Sequence, residues 1–160
     1  MRNSNLPSQT NIPAAGEGKR GESGYLGYLL RQAAGAYHTR LARALSDLAI
    51  TPPQFSVMTM INAYPGASNA DIARLAILTP QTVSVIIGNL EKAGLVIRRP
   101  HAIHGRIQQL ELSEQGKQQL STARRRAHTI EKELTEELAK NDEDVIRRWL
   151  AGAAQRMNEK

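Results

Sequence analysis

Residues 79–100 read TPQTVSVIIGNLEKAGLVIRRP, and the stretch changes character twice. It opens polar, turns apolar at helical spacing through Val83, Ile86, Ile87 and Leu90, and closes on two arginines before a proline. Thr79 suits an N-cap with Pro80 at the first helical position. Gly94 suits the left-handed residue beyond a helix end. The spacing therefore predicts a helix from Thr79 to about Ala93. Its apolar back faces a core, while Gln81, Thr82, Ser84 and Val85 stay outside near its N-terminal end.

Upstream, SNADIARLAIL starts at Ser68 with Asp71 three positions on, a weaker form of the capping box, and predicts a short helix with Ile72, Leu75 and Ala76 on its inner edge. Before it, TPPQFSVMTMINAYPG predicts a helix capped by Thr51, with Phe55, Met58 and Ile61 on one face and Pro65-Gly66 ending it. Downstream the period shifts to two: LVIRRP and RIQQLEL read as strands about the turn HAIHG. Two short helices joined by AILT and followed by a two-stranded turn have the sequence shape of a winged helix-turn-helix, expected over about residues 52–112.

The flanks are helical. Residues 24–48 repeat apolar positions at three- and four-residue steps. Ser113 restarts a helix, with Gly116 unexpected in its first turn, and Leu120, Ala123, Ala127, Ile130, Leu134 and Leu138 form a stripe. A last helix, capped by Asn141 or Asp142, carries Val145, Ile146, Trp149, Ala153 and Met157 on one face. Residues 1–23, rich in Pro, Ser, Asn and Gly, read as a flexible tail, and 24–160 as a single domain. The fold class is mostly α with a small β-wing.

With 160 residues the chain can bury one real core, and 41% hydrophobic residues with only 4% aromatics favour packed helices over a large sandwich. The absence of cysteine excludes disulfides and thiolate zinc sites. No run nears the roughly 18 apolar residues of a membrane span, and the N-terminus lacks the apolar core of a secretory signal, so a cytoplasmic location is expected. The net charge is +6. Between 68 and 106, Arg74, Lys92, Arg98, Arg99 and Arg106 outnumber Asp71 and Glu91, a local excess that points to a polyanion.

Duplex DNA fits that surface. The start of the 79–93 helix carries unpaired N–H groups and a positive dipole end suited to phosphate. Glutamine can bond an adenine edge, hydroxyls can bond bases or phosphates, and the methyls of Thr82 or Val85 can touch thymine. Arg98 and Arg99, on the wing, are expected at phosphates. An enzyme fits poorly: there is no phosphate-binding loop, no nucleophile elbow, no zinc-protease helix and no cysteine nucleophile. GEGKRG at 16–21 matches a dinucleotide-loop pattern without the strand that must precede it. His101 and His104 have no nearby partner to complete a metal site, so neither metal nor cofactor is expected. Arg124, Arg125 and Arg126 read as a solvated helix face.

At TPPQFSVM, PGASNADIAR, TPQTVSVIIGNLEKAGLVIRRP and HGRIQQLELSEQG, taken in that order, the chain resembles the MarR family of bacterial transcription regulators. The resemblance covers roughly residues 25–150. It implies a winged-helix homodimer, joined through its N- and C-terminal helices at about 24–48 and 113–158, that binds pseudo-palindromic operator DNA and often represses. It implies small ligands, commonly aromatic acids, that weaken DNA binding by altering the spacing of the two reading heads. By position it places Pro80, Gln81, Thr82 and Ser84 at the major groove, Ser68 and Asn69 at phosphate, and Arg106 at the wing tip in the minor groove. The family's common Asp-x-Arg at the wing is His104-Gly105-Arg106 here, and Val85 stands where many relatives have arginine.

Arg31, Tyr37, His38 and Arg40 on the first helix, with Phe55 and Met58 on the second, are candidates to receive a small aromatic carboxylate; packing around a dimer seam or core is the other reading of the same residues. The expectation is a sequence-specific DNA-binding transcriptional regulator, a repressor released by a small ligand. The alternative is a nonspecific or architectural DNA-binding protein.

Overall fold

The structure, a computed structural model, describes residues 12–100 and 108–159. In chain order it contains α1 (Leu26–Leu45), α2 (Pro52–Ala63), α3 (Asn69–Ala76), α4 (Pro80–Lys92), β1 (Val96–Pro100), β2 (Gln108–Leu112), α5 (Glu114–Thr135) and α6 (Lys140–Asn158). This is the expected mostly helical chain with a small β-wing.

Side-chain caps set where the winged-helix elements start. Thr51 Oγ1 accepts from the Gln54 N–H at 3.4 Å while the Gln54 side chain accepts from the Thr51 N–H at 2.9 Å, a reciprocal box that opens α2. Ser68 and Asp71 form the same box at α3. Thr79 Oγ1 accepts from the Thr82 N–H at 3.2 Å, with Pro80 first in the helix. Between α3 and α4 the chain direction turns by 105°, within the roughly 90–120° of a helix-turn-helix.

One core unites these elements. Val57, Met58 and Ile61 of α2, Ile72 and Ala73 of α3, and Val83, Ile86, Ile87 and Leu90 of α4 are buried together with Leu95, Val96, Leu110, Leu112 and Leu120. Gly94, at φ +71, ends α4 in the left-handed conformation, and Leu95 N–H returns to Leu90 O at 2.9 Å. β1 and β2 pair antiparallel, Val96 opposite Leu112 and Arg99 opposite Gln109. Val96, Leu110 and Leu112 face the core.

The first turn of α5 explains Gly116. Ser113 N–H donates to Leu95 O at 3.0 Å, and Ser113 Oγ donates to Gly94 O at 2.6 Å. This draws α5 so close to the chain leaving α4 that a β-carbon on Gly116 would stand 2.1 Å from Leu95 O. The oddity is a close backbone approach.

Several expectations shift by a residue or a turn. On α3 Ala73 is buried, whereas Leu75 stays 38% exposed. The α5 stripe ends at Ile130; Leu134 is exposed, and the helix stops at Thr135, before Leu138. Ala139, with no side-chain bond, precedes α6, so Asn141 and Asp142 lie inside the helix and not at its cap. Asp142 and Glu143 still face the helix's positive end. Arg126 is not a free surface charge: it donates to Ala44 O at 2.7 Å and to the Asp47 carboxylate, tying α5 to the end of α1.

The contacts group the chain into two compact units, residues 1–39 and 40–160, that meet inside α1. The buried residues of α1 are Leu41 and Leu45, both in the second unit. Within the first unit a 3-10 turn at Gly18–Arg20 is held to α1, Gln32 Nε2 donating to Arg20 O at 3.0 Å. Arg20 and Ser23 are likewise hydrogen-bonded, to Pro13 O at 2.8 Å and Gly18 O at 2.6 Å; residues 1–11 lie outside the described residues.

Gly116→Ala must push two backbone segments apart. An overpacking loss of about 1–3 kcal/mol is expected, read as a lower urea midpoint at an unchanged denaturant slope.

Candidate nucleic-acid interface

The outer surface of α4 follows from its buried one. With Val83, Ile86, Ile87 and Leu90 inside, Pro80, Gln81, Thr82, Ser84 and Val85 are all exposed, Val85 by 64%. Gln81 and Val85, four residues apart, share one outward stripe. The hydroxyls beside that stripe are partly committed. Thr79 Oγ1 and Thr82 Oγ1 lie 2.9 Å apart in a mutual hydrogen bond. Ser84 Oγ donates to Pro80 O at 2.9 Å and accepts from Asn69 Nδ2 at 3.5 Å. Ser84 thus offers a partner a lone pair but no proton.

The two helix starts differ in charge. At α3, Asp71 Oδ2 accepts from Ser68 N–H at 3.1 Å and from Ser68 Oγ at 2.6 Å, and Asp71 also pairs with Arg74. The Ser68 hydroxyl, then the Ser68 backbone N–H, then Arg74, hold the Asp71 carboxyl below the usual carboxylate range. A carboxylate therefore already occupies the positive end of α3, close to Ser68 and Asn69. The first turn of α4 contains no acidic residue. Its dipole end is open to an external anion.

Three of the cations counted in the sequence are held in local ion pairs. Arg98 Nε donates to Glu91 Oε1 at 2.6 Å, linking β1 to the end of α4, and Arg99 pairs across the wing with Glu111 at 2.9 Å. With Arg74 on Asp71, Lys92 remains the one cation of this stretch without a carboxylate among the described residues. Exposed pairs of this kind hold by about 0–1 kcal/mol, so a phosphate can share or take either wing arginine. His101, His104 and Arg106 lie outside the described residues. Among the described residues no group of three metal-ligating side chains occurs.

The ligand candidates are dispersed in kind. In the first unit the Arg31 guanidinium lies 5.9 Å from the Tyr28 ring centroid, Tyr37 is half-buried and His38 exposed. In the second, Arg40 makes a two-pronged bond to Glu133, with Nη2 at 2.9 Å from Oε2. Phe55 packs on the core half-buried, and Met58 has no exposed surface with which to line an open pocket. A cleft of about 340 Å³ brings together residues that sequence reading left apart: Arg40, Arg43, Arg126 and Glu133 over Ala44 and Ile130. Their three-and-four spacing on two helices was the available signal, but only pairing shows that Arg43 alone lacks a carboxylate among the described residues.

Sequence reading also missed Ile77. It joins α3 to α4 in the left-handed conformation, at φ 57 and ψ 45, and is 91% exposed. Its place in the AILT connection was the one clue.

A sequence model described as the MarR family matches residues 50–107. Over 92 residues the chain is 36% identical to an HTH-type transcriptional repressor of Mycobacterium tuberculosis, a stretch covering 58% of this chain. That stretch spans 66% of the curated relative's length, just short of two thirds. Among solved structures, the transcriptional repressor CouR bound to a 23-mer DNA duplex matches with a TM-score of 0.72 and 28% identity, over 81% of this chain and 92% of that one. A Mycobacterium tuberculosis MarR family protein in complex with p-aminosalicylic acid matches with a TM-score of 0.66 and 27% identity, over 81% and 98%.

Ser68→Ala should raise the Asp71 pKa toward its ordinary value, as followed by carboxyl NMR titration. The sign of the linkage follows. A carboxyl depressed in the folded state adds stability above its unfolded pKa of about 3.9 and loses it as pH falls through the folded value. The variant's destabilisation should therefore shrink on acidification; a constant loss from pH 7 to pH 3 would assign Asp71 no part in it.

Proposed function

Because the chain belongs to the MarR family, we propose that it is a sequence-specific DNA-binding transcriptional regulator and not an enzyme: a homodimeric repressor of operator DNA in the bacterial cytoplasm. The observation that carries this reading is α4. It is fixed from behind by four buried side chains, open at its positive end, and presents Gln81 and Val85 outward.

In this reading Pro80, Gln81, Thr82, Ser84 and Val85 meet the major groove, Gln81 supplying the one amide able to bond an adenine edge in two places. Thr79 and the first α4 amides take a phosphate. Ser68 and Asn69 are weaker phosphate partners, because Asp71 already fills the α3 end. Arg98 and Arg99 exchange Glu91 and Glu111 for phosphates when DNA arrives, and Arg106 with His104 reaches the groove from the wing.

The homodimer is supported by α6, which buries none of its residues and leaves Val145, Ile146, Trp149 and Leu150 between 40% and 54% exposed in the single chain. No single helix among the described residues is long and apolar enough to cross a membrane. We propose further that a small organic acid releases the DNA; the support from likeness is that a mycobacterial relative forms a complex with p-aminosalicylic acid. The cleft at Arg40 and Arg43, with its apolar floor of Ala44 and Ile130, suits such an acid.

Selection from a random duplex pool at physiological salt tests the reading. Enriched sites should bind at least about 10³-fold more tightly than shuffled duplex. Equal binding to both would instead make this a nonspecific DNA-coating protein. Gln81→Ala should cost about 1–3 kcal/mol on the selected site and little on shuffled DNA. In sedimentation equilibrium, Trp149→Glu should raise the dimer dissociation constant by about a hundredfold or more. A variant as dimeric as the parent would remove α6 from the interface.

A further inference from the structure

The turn between α3 and α4 carries a residue unsuited to both its backbone conformation and its surroundings. Closing α3 there requires a left-handed residue. Ile77 N–H turns back to Arg74 O at 3.3 Å, and Leu78 N–H reaches Ala73 O at 2.9 Å. Glycine or asparagine normally fills such a position, and this chain uses glycine for the same purpose at Gly94, which closes α4 with φ of +71. The left-handed conformation pushes a β-carbon toward the following carbonyl, and a side chain branched at that carbon suffers most.

Nothing within the described fold offsets that strain. Leu78, the next residue, packs against the core, whereas Ile77 points away and is 91% exposed. An apolar side chain left in water in a strained conformation gains from contact only with something outside the chain. Its position limits what that can be. Two peptide links place its Cα within about 7 Å of Thr79, the cap of α4. It therefore stands at the rim of the end that faces DNA in the function proposed above, on which this inference rests.

We infer that Ile77 is a further DNA-contacting residue, an apolar wedge from the helix-helix turn that packs on a C–H surface of the duplex beside the α4 N-terminus. The chemistry excludes a direct phosphate contact, since an isoleucine side chain has no donor. It suits a deoxyribose face or a thymine methyl, the apolar features that DNA presents at a groove edge.

Three variants test this on duplexes selected by the wild-type protein. Ile77→Gly removes both side chain and strain, Ile77→Asn keeps a residue tolerant of the left-handed region, and Ile77→Val keeps an apolar branched side chain. Ile77→Gly should raise the thermal midpoint by about 2–4 °C while weakening binding about tenfold. Ile77→Asn should weaken binding by a similar factor, and Ile77→Val should stay within about threefold of wild type. An equal proportional loss on selected and shuffled duplexes would identify a deoxyribose contact. A loss confined to the selected duplex would identify a thymine methyl. Unchanged affinity in both the Gly and Asn variants overturns the inference while leaving the regulator reading intact, and a lowered midpoint for Ile77→Gly overturns its strain argument. Failure of the wild-type protein to enrich any site would overturn the regulator reading itself, and this inference with it.

Discussion

The surface of α4 is decided by the burial of its other side. Val83 and Ile87 have no exposed surface and Leu90 has 1%, all within one core with Ile72 of α3 and Val57 of α2. At about 1.5–3 kcal/mol for each large apolar side chain withdrawn from water, rolling α4 by one residue about its axis would expose more than any surface contact could offset. The outward stripe is thus as rigid as the core behind it. Val96, Leu110 and Leu112 of the wing sit in the same core, so the wing strands and the reading helix keep one fixed relation. Reading a groove needs that fixity, because a bidentate contact to a base edge tolerates little misplacement.

Charge refines what packing positions. The positive ends of α3 and α4 face the same task with different chemistry, one filled by Asp71 and one empty of acid. Such an end attracts an anion by roughly 0.3–1 kcal/mol at an exposed site. Its worth lies in fixing where the phosphate sits more than in total affinity. The wing arginines are held in place by Glu91 and Glu111, and if they meet phosphates as proposed, the exchange of one exposed anion for another is close to neutral in energy. An interface of this kind gives up affinity for register, which suits a protein that distinguishes one sequence from another.

Much of this was readable from residue types alone, because the signals were local. Thr51, Ser68, Thr79 and Ser113 each begin a helix, Gly94 ends one, and the buried set of α4 was expected residue for residue. What escaped depended on partners. In the eight-residue α3, whether Ala73 or Leu75 turns inward is set by where α4 crosses it. A count of charges between 68 and 106 cannot show that Arg74, Arg98 and Arg99 each sit on a carboxylate. Arg126 looked like its two neighbours until Asp47 and the Ala44 carbonyl came within reach. Ile77 was invisible because the demand for a left-handed residue arises from the turn, not from isoleucine. Gly116 signalled something by being out of place in a first helical turn, but only the approach of the Leu95 carbonyl says what.

The winged-helix core closes without α6, none of whose residues it contains, so in the proposed function DNA reading and dimerisation use separate surfaces. That separation has an energetic consequence. One α4 head reaches only a few base pairs, and a single module of this size buries little surface on DNA. A second head held one helical turn away, about 34 Å, converts its own binding into an intramolecular step at a high effective concentration, so affinity multiplies without any new type of contact. It also makes the distance between heads a variable that acts on both at once. In the function proposed above, a ligand that shifts α1 against α5, where Arg40 meets Glu133 and Arg126 meets Asp47, would not have to touch a DNA-facing residue to release the duplex. A small misfit in spacing, imposed on two rigid heads, removes the multiplication and leaves each with its own weak affinity.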